Sequence, residues 1–376
     1  MIIYLIDLIY TILNKYLSMT KKLTFLGIET SCDETAASII RENDKGTADI
    51  LSNVVSSQIE EHKKFGGVVP ELAARAHLEN IDYILNRAIE ESKISIEKID
   101  GVAATAGPGL IVCLSIGLNM GKTIAAFSNK PFIGVNHLEG HALSHGLNDK
   151  MKFPYLLLLI SGGHTQFLIV KDINDYEQLG TTIDDALGEA FDKTAKMLDL
   201  GYPGGPNVEK FSKLGNEKFF QLPEPIINRA GCNLSFAGLK TAVLKEAKKI
   251  NGNLELRYHL AASFQKTVNK ILYKKTKVAA QMFEEKTKKK EFQFIVAGGV
   301  AANKSIRENL TKLSNEMNFQ IIFPDIKFCG DNAAMIAWAG IQRFKKNLID
   351  DLKIKAKSRW PLDGKAPYMK GPGLKL

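Results

Sequence analysis

The sequence predicts an α/β protein of two similar lobes around a ligand cleft. Three observations carry that prediction. Apolar runs of strand length end in glycine-bearing turns near residues 27–30, 161–165 and 298–299. Between them lie segments whose apolar residues fall near helical spacing. The 376 residues also suffice for about two lobes, at roughly 100–200 residues each. In such folds ligands sit at the ends of strands, where loops and helix N-termini meet.

Taken in order, 23–28 reads as a strand, 29–34 as a tight turn with polar tips, and 35–40 as a returning strand. Pro70 opens a helix through Ser92, with proline at a first-turn position. Residues 101–105 form a buried strand, Gly107-Pro108-Gly109 a turn, 115–127 a small-residue helix and 131–135 a further strand. A second strand–turn–strand unit spans 155–170 around Ser161-Gly162-Gly163-His164-Thr165. Residues 188–196 read as a helix with Asp192 and Lys196 paired four apart, a surface ion pair at the simplest. Tyr202-Pro203-Gly204-Gly205-Pro206 is too rigid and glycine-rich for an ordinary linker. The strand 292–297 precedes Gly298-Gly299 and a helix over 305–313, and a last helix covers 333–344. Residues 251–253 and 284–291 read as surface loops. The lobe boundary is placed near residue 132 and the return near Lys327, giving lobe I as 23–132 plus 327–376 and a substrate-binding lobe II as 133–326.

Composition narrows the class. A 45% hydrophobic content fits a sizeable core, and the net charge of +9 favours an anionic partner such as nucleic acid. The four cysteines, Cys32, Cys113, Cys232 and Cys329, lie far apart with no CxxC pair, against a zinc ribbon or a secreted disulfide framework and for a reducing cytosol. The first 18 residues are apolar, but no basic stretch precedes them, Asp7 interrupts them and no small-residue cleavage site follows. They fall short of the ~20 residues a bilayer span requires. Residues 1–22 are read as a dispensable extension; a chain starting at Met19 is expected to fold and work as well.

His137-Leu138-Glu139-Gly140-His141 is the sharpest chemical signal. Two histidines four apart on a helix point the same way and can share one cation. A zinc peptidase needs its glutamate directly after the first histidine, where Leu138 stands. Gly117–Thr123 mimics a phosphate-binding loop but is one residue short, so it reads as a packing helix. Consecutive glycines at 162 and 163 let backbone N–H groups face a ligand's anion or carbonyl. Asp331, before the last helix, suits an N-cap, a metal ligand or both.

The segments LGIETSCDET, GGVVPELAARAH, TAGPGL, NHLEGHALSH, LISGGHTQF, DDALGEAFDKTAKMLDLGYPGGP, FAGLKTA, VAGGVAANKSIR, CGDNAAMIAWAG and KSRWPLDG closely resemble the successive motifs of the tRNA N6-adenosine threonylcarbamoyltransferases. The SGGHTQ form, with His164 and Thr165, is that of the bacterial and organellar branch. The resemblance implies the actin-like, ribonuclease H-like superfold shared with sugar kinases and Hsp70. It implies metal ligation by His137, His141 and Asp331, and substrate contacts at Leu159, Ile160, Ser161, Gly162, Gly163, Asp192, Gly205 and Asn303. Asp33 and Glu34 match an acidic pair near the phosphate position, with a catalytic role. Val112, Cys113 and Ala237 depart from the family's usual residues without touching these contacts.

The implied activity is a cytoplasmic acyltransferase that moves threonylcarbamoyl from threonylcarbamoyl-AMP to N6 of adenosine 37 in tRNAs reading codons that begin with adenine. One divalent metal ion per subunit is implied, Fe2+ with Zn2+ as the alternative, polarising the adenylate as a Lewis acid. The implied partners are tRNA, an inactive paralogous subunit, a small ATPase and the synthase that supplies the adenylate, with no membrane. The rival readings are a small-molecule kinase of the same superfold, which has no use for His137 and His141, a metallopeptidase, and a non-catalytic scaffold.

Overall fold

The computed structural model describes residues 22–250 and 252–367. The expectation about residues 1–18 lies outside the described residues. The first sheet is built from β1 (Thr24–Glu29), β2 (Glu34–Glu42), β3 (Ala48–Ser57), β4 (Gly101–Gly107) and β5 (Phe132–Asn136), in the order β3-β2-β1-β4-β5. The second contains β6 (Tyr155–Ile160), β7 (Thr165–Asp172), β8 (Asp175–Thr181), β9 (Gln293–Ala297) and β10 (Gln320–Ile322), in the order β10-β9-β6-β7-β8. Read from the same edge, the two orders are one topology used twice. Each has an antiparallel meander of three strands, then two strands added parallel to the first. The strands at 24–29 and 155–160, apolar through their middle, are the central strands, buried on both faces.

The helices are α1 (Ile59–Lys63), α2 (Pro70–Ser92), α3 (Ile111–Ser128), α4 (His137–Leu143), α5 (Leu187–Met197), α6 (Gly204–Ser212), α7 (Ala237–Ala247), α8 (Leu254–Thr287), α9 (Lys304–Met317) and α10 (Ala333–Lys345). Pro70 starts α2 at its first turn, and Lys93 in the left-handed region ends it. Helix α3 presents Gly117 and Gly121 to Thr30 and Ala104, which is the packing role read from its small residues. By length and composition α3 is also apolar enough to cross a membrane, but one face of it is buried against the first sheet.

Helix α10 covers the other face of the first sheet, so the chain returns to its first lobe. The close approach occurs at Gly27, where an added Cβ would stand 2.2 Å from the Ala333 carbonyl oxygen. Gly27→Ala must push a helix off its sheet. The expected outcome is a loss of about 1–3 kcal/mol of stability, measured by chemical denaturation of the full chain.

Two expectations are corrected. The first half of the 284–291 loop is helix, because α8 continues through Thr287 and only then ends at Lys288 in the left-handed region. Buried Phe283 anchors that last turn, and Glu284 to Thr287 simply extend it. The first sheet also runs past residue 132, since β5 pairs with β4 as far as Asn136. The chain changes lobe in α4, whose Leu138 and Ala142 pack with Leu157, Leu159 and Ile295 of the second sheet.

Candidate metal centre and substrate cleft

The helix that joins the lobes carries the two histidines. Asn136 ends β5 and caps α4, its side chain accepting from the Leu138 N–H at 2.9 Å. His137 thereby starts the helix and His141 lies one turn on, their rings 4.8 Å apart and nearly perpendicular. Asp331 arrives from the opposite side, between the short turn at Ile326–Phe328 and α10. Its Oδ1 lies 3.0 Å from His141 Nε2 and 3.5 Å from His137 Nε2. Of the two roles weighed for Asp331, the cap belongs to Asn332, which accepts from the Met335 N–H at 3.0 Å. Asp331 is left free to face the histidines.

Two imidazole nitrogens and a carboxylate oxygen, all within 4.8 Å of one another, form a donor set suited to Fe2+ or Zn2+. Beneath it lies a residue that the motif reading missed as a separate function. Glu29, at the buried end of β1, accepts from His137 Nδ1 at 3.1 Å, from Thr105 Oγ1 at 2.5 Å and from the Ser31 N–H at 2.5 Å. A carboxylate behind a ligand histidine fixes its ring and raises its basicity. The available signal was an acid closing a strand apolar through its middle. Burial alone would depress His137, but Asp331 and Glu29 outweigh it and raise it to about 9. Burial likewise opposes ionisation of Glu29 and Asp331, and His137 beside both holds each below the usual carboxylate range. A divalent cation between the three ligands would replace the proton that His137 holds there.

A cleft of about 1110 Å3 opens above these residues. Ser161, Gly162 and Gly163 line it, as do Asp33, Glu34, Asp192, Gly205 and Asn303. Leu159 and Ile160 do not: both are fully buried, their side chains in the two cores of the second sheet. An added Cβ at Gly162, Gly163, Gly205 or Gly299 would meet nothing within 4 Å, so packing does not require glycine there; it keeps the cleft wide. Asp192 does not pair with Lys196; its carboxylate accepts from the Gly204 N–H at 2.8 Å and anchors the start of α6. Asn303 caps α9, accepting from the Ile306 N–H, and donates to Gln265 Oε1 at 2.9 Å. Burial, then Asp331 and Asp33, push the Glu34 carboxyl well up beside the cleft. His164 also lines the cleft; burial and the two ligand histidines depress it to about 4, leaving a neutral imidazole. His145, which continues the histidine pattern in sequence, packs on Tyr155 and is no part of the site.

Glu139 faces away from the cleft. Its carboxylate accepts from Arg343 Nη1 at 2.9 Å, Tyr176 Oη at 2.9 Å and the Asn174 N–H at 3.1 Å, joining α4 to α10 and to the β7–β8 hairpin. It cannot activate a water at the metal site, which removes the peptidase reading. Glu139→Ala strands a buried guanidinium and is expected to cost about 3–5 kcal/mol of stability. Thermal denaturation should show that loss, while metal content measured at low temperature stays intact. A catalytic glutamate would give the reverse.

A family profile described as tRNA N6-adenosine threonylcarbamoyltransferase matches residues 49–338. A Pelagibacter ubique protein of that name is 59% identical over 95% of this chain and all of its own length. A Sinorhizobium medicae protein of the same name is 49% identical over 93% of this chain and 98% of its own. Among solved structures, T. kodakarensis HypF superposes with a TM-score of 0.55 at 14% identity, over 87% of this chain and 48% of that one. A full-length HypF in its phosphate- and nucleotide-bound form gives 0.54 at 12% identity, over 86% of this chain and 46% of that one. The chain thus spans about half the length of these structural neighbours, and the likeness bears on the fold alone, the actin-like two-lobed α/β architecture.

Proposed function

The chain belongs to the tRNA N6-adenosine threonylcarbamoyltransferase family, and from that premise we propose that it transfers threonylcarbamoyl from threonylcarbamoyl-AMP to N6 of adenosine 37 in tRNAs reading codons that begin with adenine. The adenosine N6 attacks the carbamoyl carbon, a C–N bond forms, and the C–O bond of the mixed anhydride breaks to release AMP. The N6 proton is lost in the same step. The observation that carries this reading is the convergence of His137, His141 and Asp331 at the floor of a glycine-lined cleft.

Those three residues would hold one divalent ion, Fe2+ or Zn2+, which when bound supplies Lewis-acid stabilisation of charge on the adenylate. The remaining work falls to the chain's own groups. The 162–163 backbone offers N–H groups to phosphate and carbonyl oxygens. Glu29 orients His137 from below. Asp33 and Glu34 face the same space.

The expected protein partners are the inactive paralogous subunit, the small ATPase and the adenylate-forming synthase. Exposed Leu78, Tyr83, Ile111, Val112 and Phe127 on α2 and α3, which pack side by side, support a protein contact on that face. The test is reconstitution with these partners, threonine, bicarbonate, ATP and tRNA, followed by nucleoside analysis. Accumulation of threonylcarbamoyladenosine is the expected result; its absence with active partners overturns the reading.

A further inference from the structure

We propose that the extended segment 353–359 is the surface on which the tRNA backbone is laid as it enters the cleft. This rests on the reading above, which supplies the RNA. The segment reads Lys353-Ile354-Lys355-Ala356-Lys357-Ser358-Arg359, four cations and no acid. Ile354 and Ala356 pack with the core between the first sheet and α2 and α3, whereas Lys353, Lys355, Lys357 and Arg359 are exposed. Burial alternates along the segment, so Lys355 and Lys357 face solvent beside the packed Ile354 and Ala356, while Lys353 stands in the turn closed by the Ile354 N–H on the Asp351 carbonyl at 3.3 Å.

The segment is tied down along its length. The Lys357 N–H donates to the Ala106 carbonyl at 2.7 Å, Lys122 Nζ donates to the Ile354 carbonyl, and Asn136 Nδ2 donates to the Trp360 carbonyl at 2.9 Å. Asn136 is the cap of the metal-binding helix, so the segment ends at the floor of the site. Lys353, Lys355 and Lys357 line a hollow of about 590 Å3, Ser358 and Arg359 line the main cleft, and Trp360 lines both. Lys357 Nζ lies 4.1 Å from the centre of the Trp360 ring. The acids in the hollow are engaged with backbone: Asp350 accepts from the Gly134 N–H and Asp351 from the Lys353 N–H. A fixed row of cations running into the cleft that must receive a nucleoside is what a polyanionic strand requires.

Phosphate contacts position the strand without reading its sequence. The variant K353A/K355A/K357A is therefore expected to bind tRNA and a non-cognate RNA at least about tenfold more weakly at ~0.1 M salt, since each phosphate contact contributes roughly 0.7–0.9 to the salt slope. The log–log slope should fall by about 2 to 3. KM for tRNA should rise with kcat and metal content kept. K353A/K355A leaves Lys357 on Trp360 and should show about two thirds of the slope change, separating charge from packing. K288A/K289A/K290A, which precedes β9 at the end of the second sheet away from the cleft, is the control of equal charge. If the first variant binds tRNA like wild type, or no worse than the control, the segment is not the RNA path, although wild type still modifies tRNA. If wild type with its partners neither binds nor modifies tRNA, the functional reading fails and this proposal fails with it.

Discussion

His141→Ala is expected to lose its bound metal and at least about a hundredfold of its transfer activity while remaining folded. Removing even an outer-shell partner of a metal ligand commonly costs 10–100-fold, and His141 is itself one of three ligands. Its imidazole is fully buried and 3.0 Å from the Asp331 carboxylate, so the substitution also leaves that carboxylate with His137 alone, 3.5 Å away. The attendant stability cost is about 1–3 kcal/mol, small enough for a cold preparation to stay native. Metal analysis after desalting, circular dichroism and nucleoside analysis measure the three effects. Full metal content in a folded variant would sink the site, whatever its activity. Loss of metal with activity kept would show instead that the ion is not needed for transfer.

The parts of this molecule that were legible beforehand are those where one residue pattern has one physical solution. Central strands buried on both faces are apolar through their middle, and 25–28 and 155–160 are. A sheet that accepts a helix at backbone distance must carry glycine, and Gly27 marks the spot. The edge strands β3 and β8 are hard to read because they mix polar and partly exposed residues into the strand pattern: Asp49, Asn53, Ser56 and Ser57 in one, Asp175, Glu177 and Gln178 in the other. Helix α8 went unread too, although Leu260, Phe264, Val268, Ile271 and Leu272 recur at helical spacing and are all buried. At the site, the two histidines were visible from their spacing alone. Asp331 reaches them across 190 residues, and Glu29 across 108, so only the fold or a family resemblance could join them. At Leu159 and Ile160 the strand end delivers the loop to the cleft and keeps its own side chains in the core.

Gly163→Val is expected to abolish detectable threonylcarbamoyl transfer while leaving fold, metal and RNA binding in place. Gly163 sits in a turn between β6 and β7 that is closed by the Ser161 N–H on the His164 carbonyl at 2.8 Å and the His164 N–H on Ser161 Oγ at 3.1 Å. Its backbone is not in the left-handed region, and a new Cβ meets no atom within 4 Å, so valine fits the protein without strain. The only space that valine takes is cleft space, since Gly163 lines the cleft. Three added carbons where a ligand must lie cost about 2–3 kcal/mol, or roughly thirty- to a hundredfold in affinity. They also screen the backbone N–H groups that would meet the phosphate or carbonyl. The metal ligands come from α4 and from the turn before α10, so metal content should match wild type. Affinity for tRNA, set by a broad cationic surface, should match it as well. Gly163→Ala, with one carbon, should fall between the two. Equilibrium binding of a non-hydrolysable adenylate analogue and nucleoside analysis of the modified tRNA decide the matter. Unchanged analogue affinity with normal modification would make the 161–164 segment a turn and nothing more.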